Sequence, residues 1–356
     1  MLKNVLTRLH SRRTAIAGAA AIAAAALWAG PALAQAGSRS VPDAEWKKIV
    51  EAAQKEGKVV VYATMAPPQH DRLVAAFNAA YPGIKMELVR IVGTAMTIKF
   101  EQERAAQNVA GGDVMITADV RWAMDGIKKG YLKNIVGPNA AKFPDAGVFD
   151  NKIAYVVGMP WIMSYNTDLV KQPITTYQDL LRPEFKGKIG STSLVAEVVT
   201  IWWSWVDRNN PGLLEKLAKD QGIKMYASST AAAAATASGE IAVNSFSVTP
   251  LDAALISKGA PMKSVIPNPA YGFAYGGAAV SWAKNPNAAL VAVDFMMSEK
   301  GQAAMIGDKE ASSVIPNFPG SIDLKANNIS LLDWNEYPPE RIKAFEQRWN
   351  TLFGAR

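Results

Sequence analysis

The chain has 356 residues, 49% of them hydrophobic, and no cysteine. That length suits about two domains, and the missing cysteine excludes disulfides, thiolate metal sites, a lipid-modified cysteine and a cysteine nucleophile. The formal charge is +7, but Lys3, Arg8, Arg12 and Arg13 all precede Gln35, so the rest of the chain carries only +3. A charge that small and scattered argues against nucleic acid as a partner, which calls for a clustered basic face.

Residues 1–34 read as an export signal that carries part of a twin-arginine pattern. A basic start is followed by an uncharged, alanine-rich run over 14–30. Ala32, Leu33 and Ala34 then fit the A-x-A cleavage rule, with Ala34 to Ala36 as a second option. Ser11, Arg12 and Arg13 match part of a twin-arginine signal, with Ala15 where a large apolar residue is usual. An uncleaved anchor is the competing reading, disfavoured because alanine is a weak membrane residue.

Beyond the signal, strands and helices alternate. Residues 58–62 form a short β-branched run after Gly57, the pattern of a buried strand. A helix is predicted over 68–80, closed by Tyr81, Pro82 and Gly83. A strand over 84–91, a helix over 95–107 and a strand over 113–116 complete a βαβαβ rhythm, which predicts a parallel, doubly wound sheet. A second α/β unit follows: strand 188–190, helix 194–208 with Trp202, Trp203 and Trp205, strand 223–226, helix 230–238 and strand 241–245. A strand over 278–283 then feeds a helix with Asn285 as its cap and Pro286 in its first position. Two more helices are predicted near 301–306 and 339–353.

Ligands of such sheets bind beyond the carboxyl ends of the strands. In the first unit that rule selects Tyr62, Thr64, Gly93, Thr94, Thr117 and Asp119. In the second it selects Ser191, Thr192, Ser193, Ser228, Ser229, Thr230, Ser245 and Phe246. Hydroxyls ahead of helix N-termini favour an anion; each of them also suits the simpler role of helix cap.

Five ordered segments resemble one family. They are 59–63 with 77–84; 112–115, containing Asp113 and Val114; 164–170 with 177–189, containing Tyr165, Asn166, Asp179, Leu180, Pro183, Lys186, Gly187 and Lys188; 237–242; and 284–289 with 295–302. Together they look like the iron(III)/thiamine/phosphonate-type branch of the periplasmic ABC-transporter solute-binding proteins. The resemblance implies an α/β, type II periplasmic-binding-protein fold: two lobes of doubly wound sheet joined by a two-segment hinge, closing on a ligand in the cleft. The crossings are expected near 155–159 and 273–278. Lobe 1 would then span 39–157 and lobe 2 158–277, with 278–356 returning to lobe 1 and ending in C-terminal helices.

The implied function is that of the extracytoplasmic, periplasmic component of an ABC importer. Its partners would be a small-molecule ligand and an inner-membrane ABC permease; the protein would be a monomer, with no cofactor and no resident metal. Iron-binding members place two adjacent tyrosines after the strand at 241–244, where this chain has Ser245, Phe246 and Ser247. Tyr271 and Tyr275 read as packing residues. An organic anion, a carboxylate or phosphonate, is therefore expected, with Trp161, Tyr62 and Phe246 covering its apolar part. The alternatives are an iron(III) carrier without the tyrosine pair, a sensory binding protein and an exported enzyme. His70 is the one histidine beyond the signal, read as a solvated loop residue. G-x-S-x-G, H-E-x-x-H, P-loop and G-x-G-x-x-G patterns are all missing.

Overall fold

The computed structural model describes residues 39–91, 94–106 and 111–354. The export segment and Gly93 lie outside these residues. The strands, in chain order, are β1 (Lys58–Ala63), β2 (Lys85–Arg90), β3 (Val114–Thr117), β4 (Val148–Phe149), β5 (Ile153–Pro160), β6 (Ile162–Asn166), β7 (Ile189–Thr192), β8 (Ile223–Tyr226), β9 (Val243–Ser247), β10 (Met262–Val265), β11 (Ala270–Ala279), β12 (Ser312–Ser313) and β13 (Ile329–Leu331). They form two sheets. The first runs β12-β5-β11-β3-β1-β2, with β13 on β11 and β4 on β5; the second runs β10-β6-β9-β7-β8.

The predicted parallel core is present in both. β1 lies between β2 and β3, parallel to each, and β7 lies between β8 and β9 in the same way. Every residue of β3, β7 and β9 is buried, as expected of strands covered by helices on both faces. Helices Asp43–Glu56, Pro67–Ala80 and Ala95–Ala105 serve the first sheet; Glu197–Asn209 and Ser229–Ala237 serve the second.

Sheet membership changes at Trp161, between β5 and β6, and again across 266–269, between β10 and β11. The sequence reading set these changes near 155–159 and 273–278. The second difference arises from β11, whose glycines hid it. A Cβ on Gly272 would stand 2.5 Å from the Met159 carbonyl oxygen, and one on Gly276 would stand 2.6 Å from Val120. Glycine is there because neighbouring groups approach too closely for a side chain. The whole of 270–279 therefore belongs to the first sheet, between β5 and β3.

The tail also departs from expectation. Helices Pro286–Met296 and Glu299–Ile306 pack on the first lobe, against Asp43–Glu56 and Pro67–Ala80 respectively. The last helix, Pro339–Phe353, instead docks on Glu197–Asn209 of the second lobe. Trp349 meets Trp203 at 5.1 Å between ring centroids, and Arg348 pairs with Asp207 at 3.0 Å and Glu215 at 2.6 Å.

Asn285 stands at the start of its helix but does not cap it. Its Nδ2 and backbone N–H donate to the fully buried Asp113, which also accepts from the Val60 N–H at 2.8 Å. Glu56 takes the capping role, accepting from the N–H groups of Asn287 and Ala288. Asp113 thus ties β1, β3 and the return segment together. Asp113→Ala would strand three buried donors, so it should lower stability by at least about 2 kcal/mol. Urea unfolding measures this, and a midpoint unchanged from the parent would refute it.

Candidate functional site

The carboxyl edges of the two sheets meet around one cleft. In the register of β1 and β2, Ala63 is opposite Arg90, and in that of β1 and β3 it is opposite Ile116. Thr64, Arg90 and 117–119 therefore emerge side by side. Thr192 at the end of β7, 227–229 after β8 and Phe246 in β9 form the facing wall. The cavity between them is about 110 Å³. At roughly 10–15 Å³ per water, this is room for a small organic molecule and not merely one ion.

Of the residues selected from sequence, Thr64, Thr117, Asp119, Trp161, Thr192, Ser228, Ser229 and Phe246 line this cavity. Others are used elsewhere. Tyr62 turns away, packs on Phe100 at 5.2 Å and donates to Glu103 at 2.7 Å. Thr94 is exposed outside the cavity, and Thr230 is also exposed. Ser191 is fully buried beneath the wall, and Ser245 donates to the Gly190 carbonyl. Ser193 does not line the cavity. Alternating strand residues face opposite sides, so a loop-based choice takes in both faces of Tyr62, Ser191 and Ser245 without discrimination. Ser228 also caps its helix, accepting from the Ala231 N–H at 3.2 Å.

Arg90 was missed by the sequence reading. It is the last residue of β2, but the strand was read as running to 91, so a selection taken from the loop beyond passed over it. Its Nε donates to the Met65 carbonyl at 3.1 Å, and its guanidinium lines the cavity. Among the described residues no carboxylate forms an ion pair with it. The Thr64 and Thr192 hydroxyls, on opposite walls, are buried with no hydrogen-bond partner. Buried polar groups are ordinarily satisfied, so these two are positioned for something the cavity receives.

His70 is a correction. It sits in helix Pro67–Ala80 and is buried, not a solvated loop residue. Burial first, then the nearby Arg90 cation, holds its pKa down at about 4, so it is neutral at pH 7. The aromatic floor draws on the first crossing, on β9 and on β11. Trp161 meets Phe273 at 4.9 Å and Phe246 at 6.1 Å, and Tyr271 stacks on Trp205 at 4.9 Å. Tyr275 lines the cavity, whereas Tyr271 serves packing. Burial pushes the Tyr275 phenol above its usual range, so it stays protonated.

Among the described residues, Asp119 is the one carboxylate lining the cleft. Burial, and then the Glu197 carboxylate, push it up to about 7, against the pull of Arg121 and its N–H. Arg121 spans the two lobes. Its Nε bonds Glu197 of the second lobe at 2.8 Å, and its Nη2 donates to the Tyr337 carbonyl. A partly exposed pair of this kind contributes about 1 kcal/mol. Glu197→Gln should therefore shift the open-to-closed ratio about five-fold toward open. Small-angle scattering of the solute-free protein should then give a larger radius of gyration; an unchanged radius and an unchanged solute affinity would refute the latch.

Two sheets joined by paired crossings, with one cleft at their facing carboxyl edges, define a two-lobed solute-binding protein of the type II periplasmic fold. A family model described as bacterial extracellular solute-binding protein matches residues 58–307. The chain belongs to that family. No curated protein sequence matches it. Solved structures share the fold at low identity. A substrate-binding protein of an ABC transporter from Agrobacterium tumefaciens is 17% identical, with a TM-score of 0.75 over 84% of this chain and 96% of that one. The periplasmic binding protein AfuA from Actinobacillus pleuropneumoniae, with fructose 6-phosphate bound, is 20% identical, with a TM-score of 0.66 over 85% and 100%. Iron-bound HitA from Pseudomonas aeruginosa is 15% identical, with a TM-score of 0.65 over 83% and 99%.

Proposed function

We propose that this protein is the periplasmic solute-binding component of an ABC importer and captures a small organic anion, of the carboxylate or phosphonate class, between its lobes. The observation that carries this reading is Arg90, a cation at the cleft wall whose charge no described carboxylate answers. Thr64 and Thr192 offer hydroxyls from opposite walls, and Ser229 opens the helix Ser229–Ala237, whose N-terminus favours negative charge. In this reading the first lobe comprises 39–160 and 270–338, and the second 161–269 with the last helix, Pro339–Phe353, docked on it. The protein acts as a monomer, without turnover, and hands its solute to an inner-membrane permease. Residues 1–34 are removed on export.

The test is mass spectrometry of small molecules released from natively purified protein. An organic anion in near-stoichiometric amount is the expected result. A neutral sugar, a polyamine or a bare metal ion in that amount would overturn the reading.

A further inference from the structure

The two walls of the cleft differ in chemistry. From the first lobe come Thr64, Arg90, Thr117 and Asp119, so the two charged groups that line the cavity among the described residues lie on this side. The second lobe presents Thr192, Ser228 and Ser229 at strand ends and otherwise an apolar surface of Val195, Val198, Val199, Phe246, Val248 and Leu251. We propose that the solute is a monocarboxylate with a compact hydrocarbon body, its head held by Arg90 on the first lobe and its body laid against the apolar wall of the second. This rests on the anion reading above and narrows it.

The geometry disfavours the other anions. A dianion would bring a second negative charge to a cavity that, among the described residues, is lined by one guanidinium and no other cation. A sugar phosphate would bury several hydroxyls against valine, leucine and phenylalanine. Each hydroxyl left without a partner weakens binding by roughly tenfold. The second wall could answer few of them: Thr192 and Ser229 offer hydroxyls, and the Ser228 oxygen already accepts from Ala231. A hydrocarbon body gains from the same wall, because closure removes both apolar surfaces from water.

Division of labour between lobes also implies an order. The charged head is recognised on the open first lobe, and the body becomes buried only as the second lobe closes. Val195 is 41% exposed in the present arrangement, so it tolerates substitution and reports on the second wall alone.

The test is calorimetry on dialysed protein at pH 6.5. The probes are 4-methylpentanoate and phenylacetate, the primary amide of each, acetate, methylphosphonate and fructose 6-phosphate. At least one of the two apolar carboxylates should bind saturably, with its amide and acetate each about 30-fold weaker or more. Val195→Asp should weaken that carboxylate at least about tenfold while leaving the melting temperature of the solute-free protein within a few degrees. Tighter binding of methylphosphonate or fructose 6-phosphate than of both carboxylates would overturn the solute class yet leave the anion reading intact. An amide that binds as tightly as its acid would overturn both. Silence from both carboxylates overturns the class as well.

Discussion

Arg90→Glu should abolish capture, weakening the solute identified by mass spectrometry by more than about a thousandfold. Two effects add. The guanidinium's hydrogen bond to a charged group is lost, which costs roughly 1.5–3 kcal/mol. A carboxylate then faces the solute's own charge in a poorly screened cavity, which brings the total above about 4 kcal/mol, or three powers of ten. Arg90→Gln removes the charge but keeps a donor, and should fall between, at about 10- to 150-fold. The fold should survive both changes, since the described structural bond of this side chain is the one to the Met65 carbonyl. An internal check comes from His70, whose pKa is held down by burial and secondarily by Arg90. Charge reversal should move its titration upward, which proton NMR reads directly. If Arg90→Glu bound within tenfold of the parent, Arg90 would not be the anchor.

Affinity should also fall as pH rises through 7. Asp119 titrates at about 7 because of burial and the Glu197 carboxylate. Below that pH it is neutral and able to donate a hydrogen bond. Above it, an anionic solute meets a second negative charge, so binding must take up a proton. That costs up to about tenfold per pH unit until the higher pKa of the complex is reached. The same shift acts on folding. An unfolded aspartate loses its proton near 3.8 and the folded one near 7. The contribution is therefore fully present below about pH 4, declines between about 4 and 7, and levels off above. The total is on the order of 2–4 kcal/mol. Arg121 and Glu197 are the charged groups set against Asp119, and Glu197→Gln should lower its pKa. Asp119→Asn should flatten both profiles. Calorimetry from pH 5.5 to 8.5 and urea titrations over the same range provide the readouts; an affinity constant across that range would refute the assignment.

Much of the architecture was legible because period and punctuation agree. The run at 58–62 after Gly57, the break at Tyr81, Pro82 and Gly83, and Pro286 after Asn285 each mark an element that the structure contains. β11 was missed because the strand was read over 278–283 and 273–278 was taken as a crossing; the closeness of Met159 and Val120 explains Gly272 and Gly276 within it. The tail was assigned to the first lobe as a whole, since nothing local in 339–353 announces that Trp349 seeks Trp203. Which of the selected residues reach the cavity follows from loop position. Thr64, Thr117, Asp119, Thr192, Ser228 and Ser229 emerge where the strand ends dictate. Tyr62 and Ser191 are a matter of facing, and facing depends on register that a single short strand does not fix. Arg90 was missed for a different reason: as the last residue of β2 it read as part of the strand, and the pairing with Ala63 that carries it to the cleft is a property of the sheet.

The placement of β11 has a bearing on how the molecule assembles. Residues 162–265 supply every strand of the second sheet from one continuous stretch. The first sheet lacks its middle until 270–279 arrives to join β5 to β3. A chain emerging from its N-terminus therefore offers a complete second lobe before a complete first one, although the first begins earlier. Closing the first lobe requires contacts across more than a hundred residues, a separation that slows folding. In refolding followed by pulsed hydrogen exchange, amides of β7 and β9 should gain protection ahead of those of β1 and β3. Until β11 arrives, the N-terminal third is a set of strands without their keystone.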